Sequence, residues 1–186
     1  MREDPVEEHT RASEHIYRGR VVNLRLDTVE LPNGTTTLRE IVEHRGSVAM
    51  VPVDGKGRVI FVRQYRKAAG ERLLEIPAGT LDGDEDVLEC VQRELQEETG
   101  YLAGRLEKLF SCYVSPGYTT ELVHIYLCSD LTPSRLTPDL DEAIEAEAIP
   151  LDQVPYLIAS GQLKDAKSIA ALLATLQRVL PAGEQP

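Results

Sequence analysis

Residues 79–101 read GTLDGDEDVLECVQRELQEETGY. A helix from about Glu85 to Thr99 is bracketed at both ends. The run Asp82-Gly83-Asp84-Glu85 can cap its start, through Asp84 or as a box between Asp82 and Glu85. Gly100 stands where a left-handed C-terminal residue is wanted. Projected at about 100° per residue from Val87, the positions Val87, Val91, Leu95 and Leu88 fall between about 0° and 100° and form the stripe to be buried. Glu98 falls inside that stripe at about 20°, and Glu94 on its edge near 340°. Glu97 lies near about 280°, with Arg93 at about 240°. Three carboxylates therefore share one sector, and one points toward the core side. Like charges at i, i+4 repel, and a buried lone carboxylate is costly. Arg93 can hold Glu97. Glu94 and Glu98 need another cation, and an oxygen-preferring divalent ion suits them. The plain alternative is a solvated acidic helix face, which the placement of Glu98 weakens.

Working outward, Ile16 to Leu31 alternates apolar and polar residues and is followed by a Pro32-Asn33-Gly34 turn and an extended stretch, Thr35 to Val42. This is a hairpin signal. Residues 1–13 are polar and read as frayed. The N-terminal unit, 1–45, is too small to bury itself and must pack elsewhere. Val48 to Val53 and Arg58 to Tyr65, joined by Asp54-Gly55-Lys56-Gly57, read as a second hairpin. Leu73 to Ile76 is a short strand stopped by Pro77. Leu106 to Val114, Leu122 to Cys128 and Ala143 to Ile149 read as strands. A short helix near 151–160 and a longer one from Asp165 to Val179 close the chain. Strands with helices interposed late suggest an α+β arrangement, a mixed sheet covered by helices, over 46–186.

The chain has 186 residues and a formal net charge of −11. Such a charge disfavours nucleic acid, whose backbone needs a basic footprint. The charged N-terminus leads into no apolar stretch, and no apolar run is long enough to span a bilayer, so neither a signal peptide nor a membrane is expected. The three cysteines, Cys90, Cys112 and Cys128, lack metal-ligand spacing and read as reduced thiols of a cytoplasmic protein.

The spacing Gly79-x5-Glu85-x7-Arg93-Glu94-Leu95-x-Glu97-Glu98-x-Gly100 resembles the complete box of the Nudix hydrolases. Glu75-Ile76-Pro77-Ala78 before it, and Arg63-Gln64-Tyr65-Arg66 upstream, are similar to the ADP-ribose pyrophosphatase subgroup. So are Arg39-Glu40-Ile41-Val42-Glu43-His44, Pro116 sixteen residues after Gly100, and Asp165-Ala166-Lys167-Ser168 in the last helix. The resemblance implies an α/β/α sandwich and a homodimer with exchanged N-terminal strands. It implies two or three Mg2+ ions (Mn2+ or Zn2+ being possible) on Glu94, Glu98 and the Ala78 carbonyl, with Glu97 as a third carboxylate.

Within the acidic loop Asp139-Leu140-Asp141-Glu142-Ala143-Ile144-Glu145, Glu142 best matches the subgroup's catalytic glutamate, with Asp141 and Glu145 left open. Glu97 and Arg93 are the other catalytic candidates. Arg39, Glu40, Arg66, Thr80, Ser115 and Gly117 are the substrate candidates. For Arg66 the plain reading is a surface arginine on an edge strand. The implied reaction splits ADP-ribose into AMP and ribose 5-phosphate. Alternatives are GDP-mannose, ADP-glucose, FAD or a dinucleoside polyphosphate, and a domain that only senses nucleotide.

Overall fold

The computed structural model describes residues 6–137 and 143–179. The chain divides into two compact units. The first holds Met1–Gly46 and Tyr113–Leu122, the second Ser47–Cys112 and Val123–Pro186. The segment Tyr113–Leu122, expected within the catalytic region, thus groups with the N-terminal strands.

In the first unit, β1 (His9–Arg18), β2 (Asn23–Glu30) and β3 (Thr36–Glu43) form an antiparallel sheet in that order. The expected turn at Pro32-Asn33-Gly34 is present. Gly34 takes a φ of 80° and donates to the Leu31 carbonyl, and Asn33 Oδ1 accepts from the Thr35 N–H at 2.9 Å. Two expectations fail here. Residues His9–Ser13 are strand, not frayed end, because their backbone pairs with β2 from His9↔Glu30 onward. The alternating stretch also breaks at Gly19, whose N–H bonds the Val22 carbonyl, so a three-stranded sheet replaces the hairpin. Strand β1 is exposed along its whole length, so no apolar period marks it. Among the described residues Val29 is the buried hydrophobic side chain of this unit, while Ile16, Tyr17, Val21 and Leu38 are exposed.

The second unit contains β4 (Ser47–Pro52), β5 (Arg58–Arg66), β6 (Glu71–Glu75), β7 (Ala78–Thr80), α1 (Val87–Thr99), β8 (Tyr101–Tyr113), β9 (Leu122–Pro133), β10 (Glu145–Pro150), α2 (Val154–Ala159) and α3 (Ala166–Val179). One sheet runs β7-β4-β9-β8 and is mixed, with β4 parallel to β9 and antiparallel to β7. The other runs β10-β5-β6. The expected hairpin of β4 and β5 is therefore corrected. The turn at 54–57 exists, closed by the Asp54 N–H on the Arg58 carbonyl and a Val53↔Val59 bridge. Beyond it the two strands diverge into different sheets. Both are continuous apolar runs, and such runs want cover on two faces rather than each other alone.

Strand β4 shows this. Val48 and Met50 pack with Cys90, Val91 and Leu95 of α1. Ala49 and Val51 pack on the other side with Phe61, Leu74 and, from α3, Leu172. The expected sandwich of a mixed sheet between helices is present, with the second sheet sharing one of its cores. Strand β7 has no counterpart in the sequence pattern, because three residues are too short to show one.

Candidate active site

Helix α1 starts two residues later than expected. Asp86, not Asp84, is the cap, and its Oδ1 accepts from the Leu88 N–H at 2.8 Å and the Glu89 N–H at 3.3 Å. Glu85 is thereby left in the preceding turn, where its carboxylate accepts from the Asp82 N–H at 3.3 Å. Gly100 closes the helix at a φ of 76° and donates to the Gln96 carbonyl at 3.1 Å. The buried face also differs from the projection. Leu88 is exposed, whereas Cys90 is fully buried beside Val91, Leu95 and Glu98. The stripe is rotated toward Cys90, and Glu94 falls inside it instead of on its edge. The Glu94 side chain keeps 12% of its surface and Glu98 only 7%.

Strand β7 lies against this face. The Ala78 N–H donates to Glu98 Oε2 at 3.0 Å. A Cβ on Gly79 would come within 1.8 Å of the Glu94 carboxyl carbon, so only glycine lets Glu94 cross there. The Ala78–Gly79 backbone and two helix carboxylates are thus held together. Cys90 donates its S–H to the Thr80 carbonyl, and burial pushes this thiol up to about 12, so it is an inert core group.

Arg93 organises the remaining acids. Its Nε and Nη2 each donate to Glu85 at 2.9 Å, and its Nη1 donates to Glu94 at 2.7 Å and Glu97 at 3.1 Å. Those hydrogen bonds hold the Glu85 carboxyl down at about 2, against its partial burial. The expected pairing of Arg93 with Glu97 is present, but it is the longest of the set; Arg93 also holds Glu94. One guanidinium therefore serves three carboxylates.

A second cluster joins β5, β6 and α3. Strand β5 is central in its sheet, but its pairing with β10 ends at Arg63, so Arg66 pairs with β6 alone and its side chain is partly exposed. Its Nε and Nη2 grip both oxygens of Glu75 at 2.8 and 2.9 Å. Lys167 donates to Glu75 Oε2 at 2.7 Å and to Asp165 Oδ2 at 2.9 Å. Burial raises the Glu75 carboxyl, but the Arg66 and Lys167 hydrogen bonds overcome it and leave it at about 2. Ser168 donates to Asp165 and accepts from the Ile76 N–H at 2.9 Å, which ties α3 to the backbone two residues before Ala78.

Glu142, with Asp139, Leu140 and Asp141, lies outside the described residues. Glu145 is described; it opens β10, is exposed, and pairs with Arg72 at 2.9 Å. In the first unit, Arg39, Glu40 and Gly117 line one cavity of about 320 Å³ together with Glu8 and Tyr118. Arg39 grips Glu8 there through two nitrogens, at 2.9 and 2.7 Å. The Ser115 carbonyl closes the neighbouring turn by accepting from Tyr118 and Thr119.

The sequence alone gives no role to Glu75, Lys167 or Asp165. Their local signal is the resemblance of Glu75-Ile76-Pro77-Ala78 and Asp165-Ala166-Lys167-Ser168 to the subgroup, which assigns them no contact with one another. Among the described residues no three His, Cys, Asp or Glu side chains are gathered as a ready metal cluster. The donor set nonetheless fits a hard cation. It offers carboxylate and carbonyl oxygens and is largely buried.

The NUDIX domain family profile matches residues 43–172. The chain belongs to the Nudix family. Residues 8–42 match a second profile, the nucleoside diphosphate sugar hydrolase N-terminal domain, so the first unit's strands also have a family counterpart. The chain is 40% identical over 169 residues to the ADP-ribose pyrophosphatase of Bacillus subtilis, covering 90% of this chain and 91% of that one. It is 39% identical over 168 residues to the methanol dehydrogenase activator of Bacillus methanolicus, covering 89% and 91%. A crystal structure of an ADP compounds hydrolase superposes with a TM-score of 0.84 at 25% identity, covering 93% of this chain and 94% of that one. The Nudix box helix of this chain is α1, with Glu94 and Glu98 facing β7.

Proposed function

We propose that this Nudix chain hydrolyses the pyrophosphate of ADP-ribose to AMP and ribose 5-phosphate. The observation that carries the reading is the joint placement of Glu94, Glu98 and the Ala78–Gly79 backbone, in a chain with a 40%-identical relative of that activity. Glu94, Glu98 and the Ala78 carbonyl would hold two or three divalent ions, Mg2+ or alternatively Mn2+ or Zn2+, with Glu97 as the further carboxylate. Bound there, the ions supply Lewis-acid polarisation of the diphosphate and make water a better nucleophile.

The chain's own residues do the rest. Arg66, its planar fork fixed by Glu75, keeps N–H groups for a phosphate oxygen. Water attacks the adenosine-side phosphorus, the bridging P–O bond breaks, and ribose 5-phosphate leaves. Glu142 takes the water's proton. Arg93 keeps Glu85, Glu94 and Glu97 in place.

Arg39, Glu40 and Gly117, which share the first unit's cavity, together with Thr80 and Ser115, are the proposed contacts of nucleoside and ribose. A homodimer with exchanged N-terminal strands is supported by exposed Ile16, Tyr17 and Leu38 on a unit with little core of its own. Three free cysteines agree with a reducing cytoplasm. No helix among the described residues is long and apolar enough to cross a membrane. The net charge of −11 argues against nucleic acid.

The test is a panel of ADP-ribose, GDP-mannose, ADP-glucose, FAD and a dinucleoside polyphosphate with Mg2+. Release of AMP from ADP-ribose with the highest kcat/KM is expected. Preference for GDP-mannose would overturn the substrate, and turnover of none would leave a nucleotide-sensing domain.

A further inference from the structure

Gln64 stands in β5 two residues before Arg66, so both side chains occupy the same face of the sheet. The register with β6 puts Glu75 on that face as well, through the pairs Val62↔Glu75, Gln64↔Leu73 and Arg66↔Glu71. This is the face on which Arg66 is gripped by Glu75 and feels the negative charge of Glu98. Gln64 is only 7% exposed. Its Nε2 is buried and donates to no acceptor among the described residues.

Packing gives no reason for this residue. On the same face Ile60 and Val62 are buried and apolar, and a strand continuing that pattern would carry an aliphatic side chain at position 64. A buried amide N–H without an acceptor destabilises the fold, and such groups are rare enough to need an explanation. The nearest functional feature on its face is Arg66, roughly 6.6 Å along the strand at two residues' rise.

We propose that Gln64 is a further substrate-binding residue, whose side-chain amide donates a hydrogen bond to an oxygen of the phosphate that Arg66 holds. The inference rests on the diphosphate-hydrolase reading above. The guanidinium supplies the charge, and the neutral amide supplies a donor of fixed direction. Together they would orient the phosphate without adding a positive group that would oppose release of the product.

The test replaces Gln64 by methionine in the full chain, which keeps the volume and removes the donor. Three quantities are read below the melting midpoint or across it. They are kcat/KM on the panel compound that the wild type cleaves fastest, the inhibition constant of inorganic phosphate, and the melting temperature without ligand. The expected result is a fall in kcat/KM of about ten- to a hundredfold, the range of a hydrogen bond to a charged group. Phosphate inhibition should weaken in step, and the melting temperature should hold or rise because an unpaired donor has left the core. Unchanged kcat/KM and phosphate inhibition in Gln64→Met would overturn the inference while the hydrolase reading stands. A lower melting temperature with unchanged phosphate inhibition would show a packing role instead. A wild type that cleaves no panel compound overturns both readings.

Discussion

Two charge clusters in the second unit are built in opposite proportions. Around Glu75, two cations, Arg66 and Lys167, face two carboxylates, Glu75 and Asp165. Around Arg93, one cation faces three, Glu85, Glu94 and Glu97, with the buried Glu98 beside them. The first cluster balances its charges, although Arg66 also feels the negative charge of Glu98. Its carboxylate is buried, paired on both oxygens and held at low pKa, and it works as scaffold for Arg66. In the second, three largely buried carboxylates share the guanidinium of Arg93, and gathering like charges in this way is costly unless further positive charge offsets them. On the proposed reading, the difference separates the acids that the fold uses for itself from those that would hold a divalent cation.

The comparison breaks most readily at Glu98. Glu98→Gln should lower kcat by about a thousandfold, the scale of losing a metal's electrostatic contribution, while circular dichroism stays native. Near wild-type turnover would return Glu98 to the fold's own accounts. The balanced cluster should answer to pH instead. Glu75 has a folded-state pKa of about 2 against 4.5 unfolded. Its contribution is therefore complete above the unfolded value and lost as pH falls from 4.5 toward 2. At about 1.4 kcal/mol per unit the loss is on the order of 3 kcal/mol, read by denaturant titration at neutral and acidic pH. Stability independent of pH through that window would remove Glu75 from the scaffold.

Lys167→Met comes next. It removes one hydrogen bond to the Glu75 carboxylate and should cost about 2 kcal/mol, without touching the response to Mg2+. A lost Mg2+ response in that variant would show that the two clusters are one. The smallest effect belongs to Glu97, whose contact with Arg93 is the longest of the three. Glu97→Gln should lower kcat by about tenfold or less, and a loss equal to that of Glu98→Gln would make the two residues equivalent ligands.

What was legible in sequence follows the same division. The box spacing located α1 and its carboxylates, because helix caps and a 3.6-residue period are local signals. It misplaced the cap by two residues and the buried stripe by a rotation, since Asp84 and Asp86 are equally able caps and Cys90 reads as neutral to position. The β4–β5 hairpin failed because a tight turn says nothing about whether its strands stay paired. Strand β1 was lost because a fully exposed strand carries no apolar pattern, only backbone pairing. The members of the Glu75 cluster stand in motifs that resemble the subgroup, but their meeting is not legible: Lys167 lies 92 residues from Glu75, and nothing local announces the contact.

If the site is as proposed, the carboxylates of α1 answer to a divalent cation. The direct measurement is the melting temperature of the wild type and of Glu98→Gln across increasing Mg2+. A ligand that binds the folded state alone raises stability with the logarithm of its concentration. The wild type should climb in that way, and Glu98→Gln should stay flat or nearly so. An equal rise in both proteins, or no rise in either, would contradict the assignment of the site.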